Sequence, residues 1–263
     1  MKELLSTAIK AAIEAGTEIM KIYKNDFEVE IKLDNSPLTI ADTNANKVIN
    51  SYLVKTGIPI ISEENKQTDF EERKKWDTCW MVDPLDGTKE FVKRNGEFTV
   101  NIALIEQNKP VLGVIYVPVT KELYFAIVAE NKAYKSTGNK LSILHNTLID
   151  ERNEIHPLKS TNNQIKVVGS RSHKSIETAA FIKKLEEQGK HVEIVSKGSS
   201  LKFCLVAEGK ATIYPRFAPT MEWDTAAGHA ICNAVGLKVM QTTNSEELQY
   251  NKENLLNPYF IVS

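Results

Sequence analysis

At 263 residues the chain can bury a substantial core, as one large unit or as two packed domains. It carries 33 basic against 34 acidic residues, a formal charge of −1, which excludes a nucleic-acid polymer as partner because such a partner needs a basic footprint. No run of about 18 apolar residues occurs, which excludes a transmembrane helix and leaves peripheral association, as at the cytoplasmic face of an inner membrane, open.

Leu4, Leu5, Ala8, Ile9, Ala12, Ile13, Ile19, Met20 and Tyr23 recur at helical spacing and predict one amphipathic helix over residues 2–24. Lys2, Glu3, Lys10, Glu14 and Glu18 interrupt its apolar positions, so no secretory signal is expected. A second helix is expected over residues 41–55, with Val48, Ile49, Tyr52 and Leu53 inward and Asp42 at its start. Residues 58–62 read as a buried strand ending in Glu63 and Glu64, and residues 80–82 as another ending in Asp83. Strands follow at 98–106, 111–117 and 123–129, the first two joined as a hairpin through Gln107-Asn108-Lys109-Pro110.

Beyond a polar stretch at 135–164, strands (165–168, 192–195, 211–214, 237–240) alternate with helices (175–188, 199–208, 225–235). Alternation implies crossover connections and a mostly parallel sheet. The expected class is therefore α/β, with an α+β half of helices on an antiparallel sheet (1–145) and an α/β half (146–263). The cysteines, Cys79, Cys204 and Cys232, form no Cys-x-x-Cys pair and read as reduced thiols of a cytoplasmic protein.

The most informative segment is Trp80-Met81-Val82-Asp83-Pro84-Leu85-Asp86-Gly87-Thr88. Pro84 fixes φ and Gly87 permits a tight turn, so the segment is not expected to continue as a regular strand. Asp83 and Asp86 then lie close together, and two carboxylates so placed repel unless a cation sits between them; hard oxygen ligands favour Mg²⁺. A turn with solvated aspartates is the plain alternative. Glu63 and Glu64 after one strand, and Asp224 opening a small-residue helix, supply further carboxylates and favour a shared metal centre. Gly198-Ser199-Ser200 at a helix start could cradle an anion or merely cap the helix, and Asp42 could be catalytic or an N-cap.

Ser62-Glu63-Glu64, Asp83-Pro84-Leu85-Asp86-Gly87-Thr88 and Trp223-Asp224-Thr225-Ala226-Ala227-Gly228 resemble, in that order, the signatures of the inositol monophosphatase superfamily, Mg²⁺-dependent and lithium-sensitive phosphomonoesterases. Asp34-Asn35-Ser36-Pro37-Leu38-Thr39, the run from Lys89 to Asn101, Gly198-Ser199-Ser200-Leu201-Lys202-Phe203-Cys204 and Tyr214-Pro215-Arg216 are similar to its bacterial 3'(2'),5'-bisphosphate nucleotidase branch. The resemblance spans nearly the whole chain, with nothing diagnostic at 135–164. It implies a layered α-β-α-β-α sandwich and hydrolysis of the 3'-phosphate of adenosine 3',5'-bisphosphate to AMP and phosphate, a small-molecule reaction linked to sulfate assimilation and nucleotide recycling.

The resemblance also implies roles. Glu63, Asp83, Asp86, Asp224 and the Leu85 carbonyl would hold two or three Mg²⁺ ions; spacing leaves Glu63 and Glu64 open, and the family pattern selects Glu63. Thr88, with Asp42, would orient the attacking water, with Glu63 also catalytic. His173, Ser200, Lys202 and Arg216 would surround the nucleoside and its 5'-phosphate, and Glu63, Leu85, Asp86, Gly87, Thr88 and Asp224 would meet the phosphate to be cleaved. Rival readings are an inositol monophosphate or sugar-phosphate phosphatase and an inactive metal or nucleotide sensor. The remaining histidines, His145, His156, His191 and His229, show no ligand spacing and are expected to be structural or solvent-facing.

Overall fold

A computed structural model describes residues 1–25, 30–31, 37–137, 151–158, 163–170 and 175–263. Helices α1 (Lys2–Tyr23) and α2 (Ile40–Leu53) pack together on one face of a seven-stranded sheet. That sheet comprises β3 (Ile60–Ser62), β4 (Thr78–Asp86), β5 (Thr99–Glu106), β6 (Lys109–Val117), β7 (Glu122–Ile127), β8 (Lys132–Thr137) and β9 (Glu154–Ile155), in spatial order of sequence. Every pairing in it is antiparallel except β3 with β4. A two-residue pair, β1 (Glu30–Ile31) with β2 (Pro37–Leu38), and short helices α3 (Phe70–Arg73) and α4 (Thr88–Val92) complete this half. Because β9 pairs with β8, the sheet extends past residue 145, its expected limit.

The strands are buried on both faces, and the period-two alternation divides their side chains cleanly. Trp80, Val82, Val100, Ile102, Leu104, Val114 and Phe125 pack with α1 and α2. Cys79, Met81, Ala103, Ile105, Ile115, Tyr124 and Ala126 pack with α6 (Leu201–Ala207), α7 (Glu222–Ala234) and the second sheet. A fully buried aliphatic side chain in either layer is worth roughly 1.5–3 kcal/mol.

The second sheet pairs β10 (Gln164–Ser170) with β11 (His191–Lys197) in parallel, and β14 (Phe260–Val262) antiparallel to both β12 (Tyr214–Arg216) and β13 (Val239–Gln241). A parallel bridge from Val167 to Ile213 joins the two groups, so only β14 runs against the rest. Helix α5 (Ile176–Glu187) lies against β11, giving five layers in the order α-β-α-β-α. The middle layer is tight: a Cβ on Gly113 of β6 would sit 2.4 Å from the Ala227 carbonyl oxygen of α7. That closeness fixes the height at which α7 delivers Asp224.

Candidate active site

Strand β4 does not stop at Asp83 as the sequence suggested; it runs on to Asp86 with an irregularity. Asp83 pairs with Asn101 and Asp86 with Thr99, so three steps on β4 oppose two on β5. In a regular strand residues three apart point to opposite faces, and the extra residue brings both aspartates to the same side. Gly87 follows at φ 90°, and α4 begins at Thr88. Carboxylate oxygens of Asp83, Asp86 and Asp224 all lie within 4.8 Å of one another. These hard oxygen donors, with Asp83 only 1% exposed, fit a divalent cation.

Asp83 accepts from the Leu85 backbone N–H at 3.1 Å, which orients the turn, and the Leu85 carbonyl lies 3.2 Å from Thr88 Oγ1. Of the two glutamates after β3, Glu63 is the one whose charge acts on Asp83 and Asp224. Its backbone is held by the β4 carbonyl of Val82 at 3.2 Å. A polar stripe on α2 braces the same segment: Asn46 accepts from Ser62 Oγ at 2.8 Å and donates to Asn65 at 2.8 Å, and Asn50 donates to Asn65 at 3.0 Å.

Asp42 links the start of α2 to Thr88. Thr39, not Asp42, is the N-cap; Asp42 closes the capping box by accepting from the Thr39 backbone N–H and hydroxyl, each at 2.8 Å on Oδ2. Its other oxygen, Oδ1, accepts from Thr88 Oγ1 at 3.2 Å. The Thr88–Asp42 pair is therefore formed, 46 residues apart in sequence.

The Gly198-Ser199-Ser200 segment does cradle an anion, but the anion is Asp86. Ser199 Oγ, Ser200 N–H and Ser200 Oγ approach Asp86 Oδ2 at 2.7, 2.6 and 2.6 Å, and Asn101 Nδ2 at 3.3 Å. Ser200 is 2% exposed and its hydroxyl also lies 2.8 Å from the Asp224 carbonyl. Its hydroxyl is turned inward, to the Asp86 carboxylate and the Asp224 backbone carbonyl. All these donors meet Oδ2, and Oδ1 accepts no hydrogen bond among the described residues.

Asp224 is the third residue of α7 and accepts from the Met221 N–H at 2.8 Å. Behind it, the buried Glu222 accepts from the N–H groups of Asn251 (2.5 Å) and Lys252 (3.1 Å), and the Asn257 amide donates to the Met221 carbonyl at 2.8 Å. Buried Arg73 grips the same tail through Asn251 Oδ1 at 2.7 Å. Sequence reasoning missed Asn101, Glu222, Asn251 and Asn257. Asn101 alone carried a signal, a polar residue inside an apolar strand.

Lys202 is buried, donates to the Ser199 carbonyl and stands 5.6 Å from the Tyr214 ring centroid. Burial first, and Arg216 second, bring its pKa down to about 8. Arg216, at the end of β12, donates to the Pro219 carbonyl at 3.1 Å, and its Nε is buried without a partner among the described residues. His173 lies outside the described residues. His229 is buried with Nδ1 3.0 Å from the Tyr250 hydroxyl, and Cys79, Cys204 and Cys232 are free and buried.

Burial pushes Asp83 well above the ordinary carboxylate range, with Glu63, Asp86 and Asp224 adding to it, and burial with Asp86 and Glu63 raises Asp224 to about 8. A carboxyl whose folded pKa is raised contributes stability present below its unfolded pKa and lost as pH rises through the folded one. The metal-free protein is therefore expected to lose stability between pH 6.5 and pH 8, and Mg²⁺ to reverse the loss. The window lies above the range where His229, held down to about 3, would take up a proton on unfolding. Thermal unfolding with EDTA and with Mg²⁺ at fixed ionic strength checks this; a metal-free protein that stabilises towards pH 8 would contradict it.

The family model described as the inositol monophosphatase family matches residues 1–259. The chain is 47% identical over 265 residues to the 3'(2'),5'-bisphosphate nucleotidase CysQ of Salmonella typhimurium, covering 99% of each, and 45% identical to that of Escherichia coli K12 over the same shares. Its structure superposes on that of CysQ from Bacteroides thetaiotaomicron with a TM-score of 0.88 at 52% identity, covering 100% of this chain and 97% of the other. The inositol monophosphatase of Thermotoga maritima, at 21% identity and TM-score 0.75, shares the fold. With its carboxylate cluster, its Thr88–Asp42 pair and these likenesses along its whole length, the chain belongs to the inositol monophosphatase family.

Proposed function

We propose that the protein is a Mg²⁺-dependent 3'(2'),5'-bisphosphate nucleotidase that hydrolyses adenosine 3',5'-bisphosphate to AMP and phosphate. The carrying observation is the convergence of Asp83, Asp86 and Asp224 within 4.8 Å beside the Thr88–Asp42 pair, in a chain similar throughout to nucleotidases of that name. Glu63, Asp83, Asp86, Asp224 and the Leu85 carbonyl would hold the Mg²⁺, two or three ions. Mg²⁺ there supplies charge neutralisation at the phosphoryl oxygens and lowers the pKa of water.

The chain's own groups do the rest. With its proton on Asp42, Thr88 Oγ1 presents lone pairs to a water and holds it for in-line attack on phosphorus. A new P–O bond forms as the bond to the ribose 3'-oxygen breaks; one proton of the attacking water stays on the phosphate product, the other passes to solvent, and solvent water protonates the departing 3'-oxygen. Arg216 and Lys202 place positive charge where the uncleaved 5'-phosphate would lie, with His173 as a third donor. The sulfated relative, 3'-phosphoadenylyl sulfate, presents the same 3'-phosphate to the same groups. We place the activity in the cytoplasm, consistent with three free cysteines and with no described helix long and apolar enough to cross a membrane.

The test is kcat/KM for adenosine 3',5'-bisphosphate, adenosine 3'-monophosphate and inositol monophosphate, each with Mg²⁺ and with EDTA. The bisphosphate should be preferred, and hydrolysis should need Mg²⁺. Arg216→Ala should reduce the preference for the bisphosphate over the 3'-monophosphate by about one to two decades, since a charged hydrogen bond is worth roughly 1.5–3 kcal/mol. Preference for inositol monophosphate, or an unchanged ratio in Arg216→Ala, would overturn the substrate assignment.

A further inference from the structure

Ser199 stands out because its backbone and its side chain tell different stories. Its φ is 52°, in the left-handed region that L side chains other than Asn and Asp seldom hold. Both flanks pin it there. Glu97 at the head of β5 accepts from the Gly198 N–H at 2.9 Å and pairs with Lys197 at 3.2 Å, while the Lys202 ammonium takes the Ser199 carbonyl. Such a conformation persists where the surroundings over-determine it.

What the conformation achieves is on the side-chain end. It sets Ser199 Oγ 2.7 Å from Asp86 Oδ2 and 2.7 Å from Thr99 Oγ1. A serine hydroxyl has one proton and two lone pairs. Ser199 gives its proton to the carboxylate, and Thr99 Oγ1, which also donates to Asn101 Oδ1 at 2.9 Å, lies against the same hydroxyl. These contacts join β5, the loop before α6 and the end of β4, three segments brought together only in the folded protein.

We infer that Ser199 is a positioning residue for the metal centre: it holds Oδ2 of Asp86 so that Oδ1 faces the cation. The inference rests on Asp86 being a metal ligand and is independent of which phosphate ester the enzyme cleaves. Glycine occupies φ near +52° readily, whereas alanine does not. Ser199→Ala and Ser199→Gly therefore both lose the hydroxyl, yet only glycine relieves the backbone.

The experiment is Mg²⁺ titration calorimetry on metal-free parent, Ser199→Ala and Ser199→Gly, together with the melting temperature of each without metal. Both variants should bind Mg²⁺ about tenfold or more weakly, while Ser199→Gly melts at or above Ser199→Ala. Turnover should recover as Mg²⁺ is raised in proportion. Parent-like affinity in both variants would overturn the inference. So would weakened binding in Ser199→Ala alone, because affinity would then follow fold stability rather than the hydroxyl. A parent that binds no Mg²⁺ would overturn the ligand role of Asp86 and this role with it, whereas a failed substrate assignment would leave these titrations unchanged.

Discussion

Asp86→Asn is expected to remain folded and to lose about three decades or more in kcat/KM. Oδ2 of Asp86 receives only donors: two serine hydroxyls, the Ser200 N–H and the Asn101 amide. An asparagine at 86 has two ways to sit, and each fails. With its NH₂ on the Oδ2 side, donors face donors; with its oxygen there, the NH₂ points at the cation. Either way one anionic ligand is gone from a centre that must neutralise a phosphoryl group, a loss of several kcal/mol of transition-state stabilisation. At about 1.4 kcal/mol per decade this is roughly a thousandfold. Folding survives because Asp83, Asp224 and Glu63 repel the lost charge in the metal-free protein, which offsets part of the cost of the orphaned donors. The measurements are circular dichroism, Mg²⁺ titration and kcat/KM on the purified variant. Near-parent turnover in a folded Asp86→Asn protein would remove Asp86 from the metal centre.

The sequence made local features legible and long-range ones not. The helical spacing in α1, the hairpin of β5 and β6 and the strand–helix alternation after residue 164 are written in periods of 3.6 and 2, and the structure carries them. Strand β14 left no such trace: three residues at the end of the chain are too short for a period, and their pairing with β12 and β13 is a tertiary choice. In the site, Asp83 and Asp86 could be named from their turn residues. The bulge that brings them to one side could not, because it depends on the register with β5.

Ser199 and Ser200 show a different limit. A glycine and two serines ahead of a helix announce an anion site, but not whose anion fills it, and here it is the protein's own Asp86. The choice between Glu63 and Glu64 is likewise invisible to spacing, and in the folded chain it is the charge of Glu63 that acts on Asp83. The brace behind Asp224 was least legible, since Arg73 and Asn251 meet across 178 residues of sequence. Buried polar side chains joined over such separations look, in sequence, like ordinary surface residues.

Thr88→Val is expected to lower kcat by about 10²–10³-fold with little change in KM or in Mg²⁺ affinity, in line with the usual scale of proton-handling groups. Valine matches threonine in shape, so α4 and the Gly87 turn are kept, and only Oγ1 is removed. That oxygen is the one atom that can receive a water proton while giving its own to Asp42 Oδ1. Asp42 needs a subtler substitution, because Asp42→Ala would also open the capping box and cost about 1 kcal/mol of stability. Asp42→Asn avoids this: its amide oxygen can still accept from the Thr39 N–H and hydroxyl, the contacts now made by Oδ2. Its NH₂ then faces Thr88 and becomes the donor, so it takes up a threonine lone pair and sends the hydroxyl proton to the Leu85 carbonyl at 3.2 Å or to the water Thr88 should hold. Asp42→Asn should thus melt close to the parent and lose turnover to a similar degree as Thr88→Val, and the double variant should lose little more than either alone. Full activity in a stably folded Asp42→Asn protein would reduce Asp42 to a helix cap, and additive losses in the double variant would show that the two residues do not act as one unit.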